Sequence, residues 1–164
     1  MSRRTYLLLA LLPALLYVGF YFLSPAKQLI AAQNRLLSAV SSKNAESVHK
    51  LLDPNYSDQW GFSPADWPGL LQDLRTLAPV LEITVRDPLA DAENGVVDTL
   101  LVVKAQGPAA DRLQSEAALL KNTRFIWKRA SWLPWSWKLT GIQNPDLEIP
   151  SGYRPGNLSA LPGF

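Results

Sequence analysis

The pattern of hydrophobic and polar positions divides this chain into one uninterrupted apolar run, two periodic blocks and an aperiodic tail. Residues 5–23, TYLLLALLPALLYVGFYFL, carry no charge and follow directly on Arg3 and Arg4. A membrane span needs about 20 mostly apolar residues. Tyr17 and Tyr21 stand near the distal end of the run, where aromatic rings suit the lipid–water interface. The run therefore reads as an N-terminal transmembrane helix acting as an uncleaved anchor. The alternative is a cleaved signal peptide ending at Ser24-Pro25-Ala26; the length of the run and the proline in that site weigh against it. The basic flank predicts a cytoplasmic N-terminus, with the remainder periplasmic or extracellular, and makes the lipid bilayer a partner through residues 5–23.

Beyond the run, the spacing first has a helical period. Leu29, Ile30, Gln33, Leu36, Leu37 and Val40 predict an amphipathic helix that begins near Pro25 and ends near Ser41-Ser42. A second, short helix over 45–52 starts at Asn44 and turns Val48, Leu51 and Leu52 inward. An aromatic stretch, YSDQWGF at 56–62, precedes Ser63-Pro64-Ala65-Asp66, which opens a third helix with Leu70, Leu71, Leu74 and Leu77 as its stripe. Past Pro79 the period changes to two. Strands are predicted at 81–86, 96–106, 117–128 and 136–144, with a hairpin turn at 91–95 and a polar break over 107–116. From Pro145 periodicity is lost. The predicted organisation is a stub and anchor at 1–24, an α+β domain at 25–148 and an extended or partly disordered Pro/Gly-rich tail at 149–164.

Charge changes the picture only by exclusion. The chain holds 16 Lys and Arg against 14 Asp and Glu. Arg3 and Arg4 precede the apolar run, so the part after it is neutral and offers no electrostatic case for nucleic acid. There is no cysteine, which excludes a disulfide framework, a thiolate metal site and a cysteine nucleophile. His49 is the one histidine and reads as a surface residue of a short helix. Asp87, Asp91, Glu93 and Asp98 surround the first hairpin without the ordered spacing of a calcium loop, so turn chemistry accounts for them. No metal or cofactor is expected.

Two groups of residues carry candidate chemistry. Tyr56, Asp58 and Trp60 alternate, and Trp67 follows shortly. An acid between a phenol and an indole could bind a polar ligand or move a proton, so Asp58 and Tyr56 are the candidate catalytic pair and Trp60 and Trp67 the candidate ligand contacts. Closing a core is the competing role for such aromatics. Of the six tryptophans, Trp127 and Trp137 are expected in the core. Trp132 and Trp135 flank Leu133-Pro134, where a loop tip could contact a partner; packing across the hairpin base is the alternative.

With these elements placed, the chain resembles the nuclear-transport-factor-2-like superfamily of cone-shaped domains, as a membrane-anchored member. The resemblance rests on the long helix 29–40, on SSKNAESVHKLLDPNYSDQ at 41–59, on the acidic hairpin 81–103 and on FIWKRASWLPWSWKLTGIQNP at 125–145. It implies two or three helices packed on a curved four-stranded antiparallel sheet, with a pocket between. It further implies a membrane-tethered, non-enzymatic binding or assembly domain outside the cytoplasm, whose partner is another copy or an envelope protein. The alternative is a small-molecule pocket, isomerase- or dehydratase-like, acting by proton transfer.

Overall fold

A computed structural model of the chain describes residue 19 and residues 24–116, 120, 122–133, 135–150 and 152–158. Within it, helix α1 spans Pro25–Ser41 and α2 spans Ala45–Leu51. A 3-10 turn at Pro64–Asp66 leads into α3, Trp67–Leu77. Strands β1 (Val80–Asp91) and β2 (Val96–Gln106) are followed by α4 (Ala110–Glu116), then β3 (Thr123–Arg129) and β4 (Trp137–Gln143). The four strands lie in sequence order and pair antiparallel.

Local chemistry fixes the helix ends. Pro25 occupies the first turn of α1, where its fixed φ suits the helix and its missing N–H costs nothing. The far end closes with Lys43 in the left-handed region at φ 53°. Its N–H reaches the Val40 carbonyl, and the Asn44 N–H reaches that of Ala39. This is the two-bond closure that glycine usually serves. The Lys43 side chain is buried and donates to the carbonyls of Ser41 and Pro79. Asn44 then caps α2, its side-chain oxygen accepting from the Ser47 N–H at 2.9 Å. Ser63 and Asp66 form a reciprocal capping box ahead of α3.

The helices cover one face of the sheet. Leu29, Leu36 and Leu37 of α1, Val48 of α2, and Trp67 and Leu71 of α3 meet Val97, Leu101, Phe125, Trp127, Trp137 and Leu139 in one core. A smaller cluster joins Ala78, Leu81 and Ala105 to Ala110 and Leu113 of α4. Along β2 the buried side chains are Val97, Thr99, Leu101 and Ala105, so Asp98 and Leu100 point to the other face. Among the described residues, no helix packs on that second face.

The two sheet edges are handled differently. Along β4, the chain after α2 runs as a partial fifth strand: the N–H groups of Asp53, Ser57 and Gln59 donate to the carbonyls of Leu139, Thr140 and Ile142. Gly141 permits this approach, since a Cβ there would lie 2.9 Å from the Ser57 carbonyl oxygen. At the β1 edge, the Ile83 N–H donates to the Ser41 hydroxyl at 3.0 Å, the one such contact among the described residues.

Several expectations are corrected. The sheet is an open meander with β1 and β4 outermost, not a curved sheet wrapped into a cone. A fourth helix occupies 110–116, where a polar break was expected. Only Ala110 and Leu113 of that segment pack inward, too few apolar positions to announce a helix. The third strand accordingly begins at Thr123 rather than 117. The expected transmembrane helix falls on residues 5–23, which lie outside the described residues except for Gly19. Among the described residues no helix is long and apolar enough to cross a membrane. Even α1, the longest, is amphipathic, with Lys27, Asn34 and Arg35 exposed. The anchor, the bilayer as partner, the single-pass topology and the location beyond the cytoplasm therefore have no support in the structure and are withdrawn.

Candidate functional site

The uncovered face of the sheet holds a cleft of about 750 Å³. Strand register explains its lining. Leu89 pairs with Asp98, Arg86 with Leu100, Asp98 with Arg124, and Arg124 with Gln143. Side chains directly opposite one another across antiparallel strands share a face. These residues therefore form a contiguous patch, closed at one side by Gln59, Asn122 and Pro145.

A break in the ladder shapes the cleft. Pairing of β1 with β2 shifts between Arg86 and Leu89, and Asp87 adopts φ 50°. Such a bulge re-aims side chains and is common beside functional sites. Asp87 tolerates left-handed backbone better than most residues. Pro88 follows, and Leu89 is among the large apolar side chains left exposed.

The charges in the cleft are of two kinds. Asp98 and Arg124 form a bidentate pair, Nε to Oδ1 at 2.7 Å and Nη2 to Oδ2 at 2.9 Å. Hydrogen bonding and the Asp98 charge push the Arg124 guanidinium above its ordinary range. Arg86 and Asp87 make no ion pair among the described residues. The cleft thus presents one neutralised pair, one guanidinium and one carboxylate open to a ligand, and the Gln143 amide.

The residues nominated from sequence lie elsewhere. Tyr56 is buried and its hydroxyl donates to Asp58 Oδ2 at 3.0 Å. Asp58 Oδ1 accepts from the N–H groups of Trp60 and Phe62 at 3.0 and 2.9 Å. Burial, then the neighbouring Asp58 carboxylate, raises the Tyr56 phenol well above the ordinary tyrosine range. Trp67 packs edge-on to Tyr56, ring centroids 6.0 Å apart, and Trp60 Nε1 donates to the Leu147 carbonyl at 3.0 Å. The structure thus brings the four onto one loop: the Asp58 carboxylate gathers the hydrogen bonds within 56–67, Trp60 ties the loop to Leu147, and Trp67 Nε1 is buried without a hydrogen-bond partner among the described residues. None of the four lines the outer-face cleft, the groove between α1 and β1 or the hollow beside Trp127 and Trp137, whereas their neighbour Gln59 lines the first. Trp132 and Trp135 sit on the β3–β4 connection, 83% and 62% exposed.

Sequence reasoning missed the cleft residues. It assigned Asp87 and Asp98 to turn chemistry and gave Arg124, within the third strand, no role of its own. The available signal was alternation: Asp98 flanks Val97, and Arg124 flanks Phe125, so both had to face away from the core. Their pairing depended on the register, which alternation does not supply. Among the described residues, no group of three or more His, Cys, Asp or Glu could hold a metal ion.

No protein-family model matches the chain and no curated protein matches it. Solved structures do. The chain is similar to the S. rosetta CaMKII hub with TM-score 0.54 and 21% identity, over 73% of this chain and 94% of that one. It is similar to Bd1075 of Bdellovibrio bacteriovorus with TM-score 0.53 and 11% identity, over 72% of this chain and only 40% of that one. A domain of unknown function with a cystatin-like fold, from Nostoc punctiforme, matches with TM-score 0.49 and 14% identity, over 77% of this chain and 80% of that one. The first two likenesses establish a small mixed α+β fold and nothing finer. They correct the expected membership as a membrane-anchored cone-shaped domain, because the fold is shared among proteins of different description. The expected tethered assembly domain loses its support with the anchor, since that reading rested on the membrane segment and on the resemblance.

Proposed function

We propose that this chain binds a small polar molecule in the cleft on the uncovered face of its sheet. The observation that carries the reading is the placement of Arg86 and Asp87, which make no ion pair among the described residues, at a bulge beside the closed Asp98–Arg124 pair. A guanidinium recognises planar anions through a fork of donors, and a carboxylate accepts from ammonium or hydroxyl groups. Ligands with both kinds of group, such as small amino or hydroxy acids, suit this set. Leu89 and Leu100 supply the apolar floor that such sites need.

Proton transfer is the chemistry this arrangement could add. Asp58 already accepts three hydrogen bonds from its own loop, so Asp87 is the better-placed carboxylate for exchange with a ligand in the cleft. We assign Tyr56 and Asp58 to positioning the loop that presents Gln59, with Trp60 and Trp67 packed behind them.

Thermal-shift titration with a panel of small amino acids, hydroxy acids and phosphates tests the proposal. A hit whose shift disappears in Arg86→Gln and weakens in Asp87→Asn, both folded as well as the parent, is the expected result. Stabilisation that survives both substitutions, or no stabilisation by any compound of the panel, overturns it.

A further inference from the structure

The chain after β4 turns back across the 56–67 loop and is clasped at its far end by α3. Near β4, Asn144 is fully buried, its N–H donating to Gln59 Oε1 at 2.8 Å while the Gln59 amide donates back to the Asn144 carbonyl. The Leu147 carbonyl accepts from Trp60 Nε1 at 3.0 Å. Further on, Tyr153 meets Phe62 edge-on, centroids 6.1 Å apart. The Tyr153 hydroxyl donates to Asp73 Oδ2 at 2.6 Å, and the Gly156 N–H donates to the same oxygen at 2.8 Å. Gly69 of α3 lies so close beneath that a Cβ there would fall 2.6 Å from the Pro155 carbonyl carbon.

Asp73 is the unusual member. It is only 6% exposed, and among the described residues no basic side chain pairs with it. A buried carboxylate is costly unless hydrogen bonds compensate it, and the described donors to it come from the returning segment. Asp73 therefore holds that segment down, and the segment in turn makes Asp73 tolerable on α3. The other end of the same segment, Pro145, forms one wall of the cleft together with Gln59.

We propose that residues 145–150 and 152–158 belong to a docked strap, and that Asp73 and Tyr153 are positioning residues which hold the Gln59–Pro145 wall of the cleft from a distance. The connection runs through the strap and the aromatic loop it crosses: Tyr153 to Phe62, Leu147 to Trp60, Asn144 to Gln59. The importance of that wall rests on the ligand cleft proposed above. The mechanical link does not, and it can be measured without a ligand.

Amide hydrogen exchange and side-chain amide NMR of the full chain test it. Asp73→Leu removes the acceptor, Asp73→Asn keeps one, Tyr153→Phe removes one donor, and Gly69→Ala wedges the strap away without altering charge. The expected result is that exchange across 145–158 accelerates at least about tenfold in Asp73→Leu and Gly69→Ala. The Gln59 and Asn144 side-chain resonances move with it, Tyr153→Phe moves them less, and Asp73→Asn restores them toward the parent. Amides of Leu29 and Leu36 in α1 stay as in the parent. Faster strap exchange with Gln59 and Asn144 unmoved, or a strap unaffected by Asp73→Leu and Gly69→Ala, overturns the link. A moved wall with no ligand found by the panel would sustain the strap and defeat only the binding proposal.

Discussion

The two faces of the sheet are made from the same strands and have opposite chemistry. On the inner face Val97, Leu101, Phe125, Trp127 and Leu139 are buried against α1, α2 and α3. On the outer face Arg86, Leu89, Asp98, Leu100, Arg124 and Gln143 line an open cleft. One residue of register separates a core position from a cleft position. The inner face is where burial of apolar area stabilises the fold. The outer face, with a bare sheet, a bulge and unmatched charges, contributes little to stability and is free to recognise something.

The sharpest way to break this contrast is to delete one leucine from each face. Leu139→Ala, at a fully buried position of the inner face, is expected to cost about 3 kcal/mol in urea denaturation. Leu89→Ala, at an exposed position of the outer face, is expected to change stability by less than about 0.5 kcal/mol. Comparable losses would mean that the outer face is covered by something the described residues do not include.

A second effect is pH dependence from the phenols of Tyr56 and Tyr153 and the ammonium of Lys43. Burial and neighbouring carboxylates raise the phenols of Tyr56 and Tyr153 above their ordinary value. Unfolded phenols ionise as pH passes about 10, while the folded ones stay protonated. Their contribution to stability is therefore complete below that pH and declines above it. Lys43 has the opposite sign: burial, then the Arg75 guanidinium, lowers its ammonium. Between its folded value and the ordinary lysine range the unfolded state holds more protons, so stability rises with pH there. Urea midpoints between pH 8 and 11 should show the decline above pH 10 flattened in Tyr56→Phe and Tyr153→Phe. A decline as steep as the parent's in both variants would remove the phenols from this account. The smallest effect is expected at the β3–β4 loop, where Trp132→Ser and Trp135→Ser should each stay within about 0.5 kcal/mol of the parent.

How much of this was legible in the sequence differs between the same two faces. Period-two alternation in β2 and β4, the 3.6-residue stripe of α1, the Asn44 cap and the Ser63–Asp66 turn all follow from local patterns, while β1, expected at 81–86, continues through its bulge to Asp91. Helix 110–116 was missed because two apolar contacts in seven residues leave no stripe. The cleft was missed for another reason. Arg86, Asp98, Arg124 and Gln143 lie far apart in sequence and meet only through the register of three strand pairs. That register includes a shift at Arg86/Leu89 which no local pattern encodes. The Tyr56–Asp58–Trp60 spacing was visible, and the hydrogen bonds to Asp58 close on its own loop. Proximity in sequence favours self-satisfaction of polar groups over an open site.

The central claim is that recognition belongs to the outer face. The most direct test is NMR shift mapping of the full chain against the panel of amino acids, hydroxy acids and phosphates. The account predicts that the largest perturbations gather on Arg86, Asp87, Leu89, Asp98, Leu100, Arg124 and Gln143, with α1 silent. Perturbations gathered instead on the groove between α1 and β1, around Asn34 and Thr84, or on Trp132 and Trp135, would contradict it.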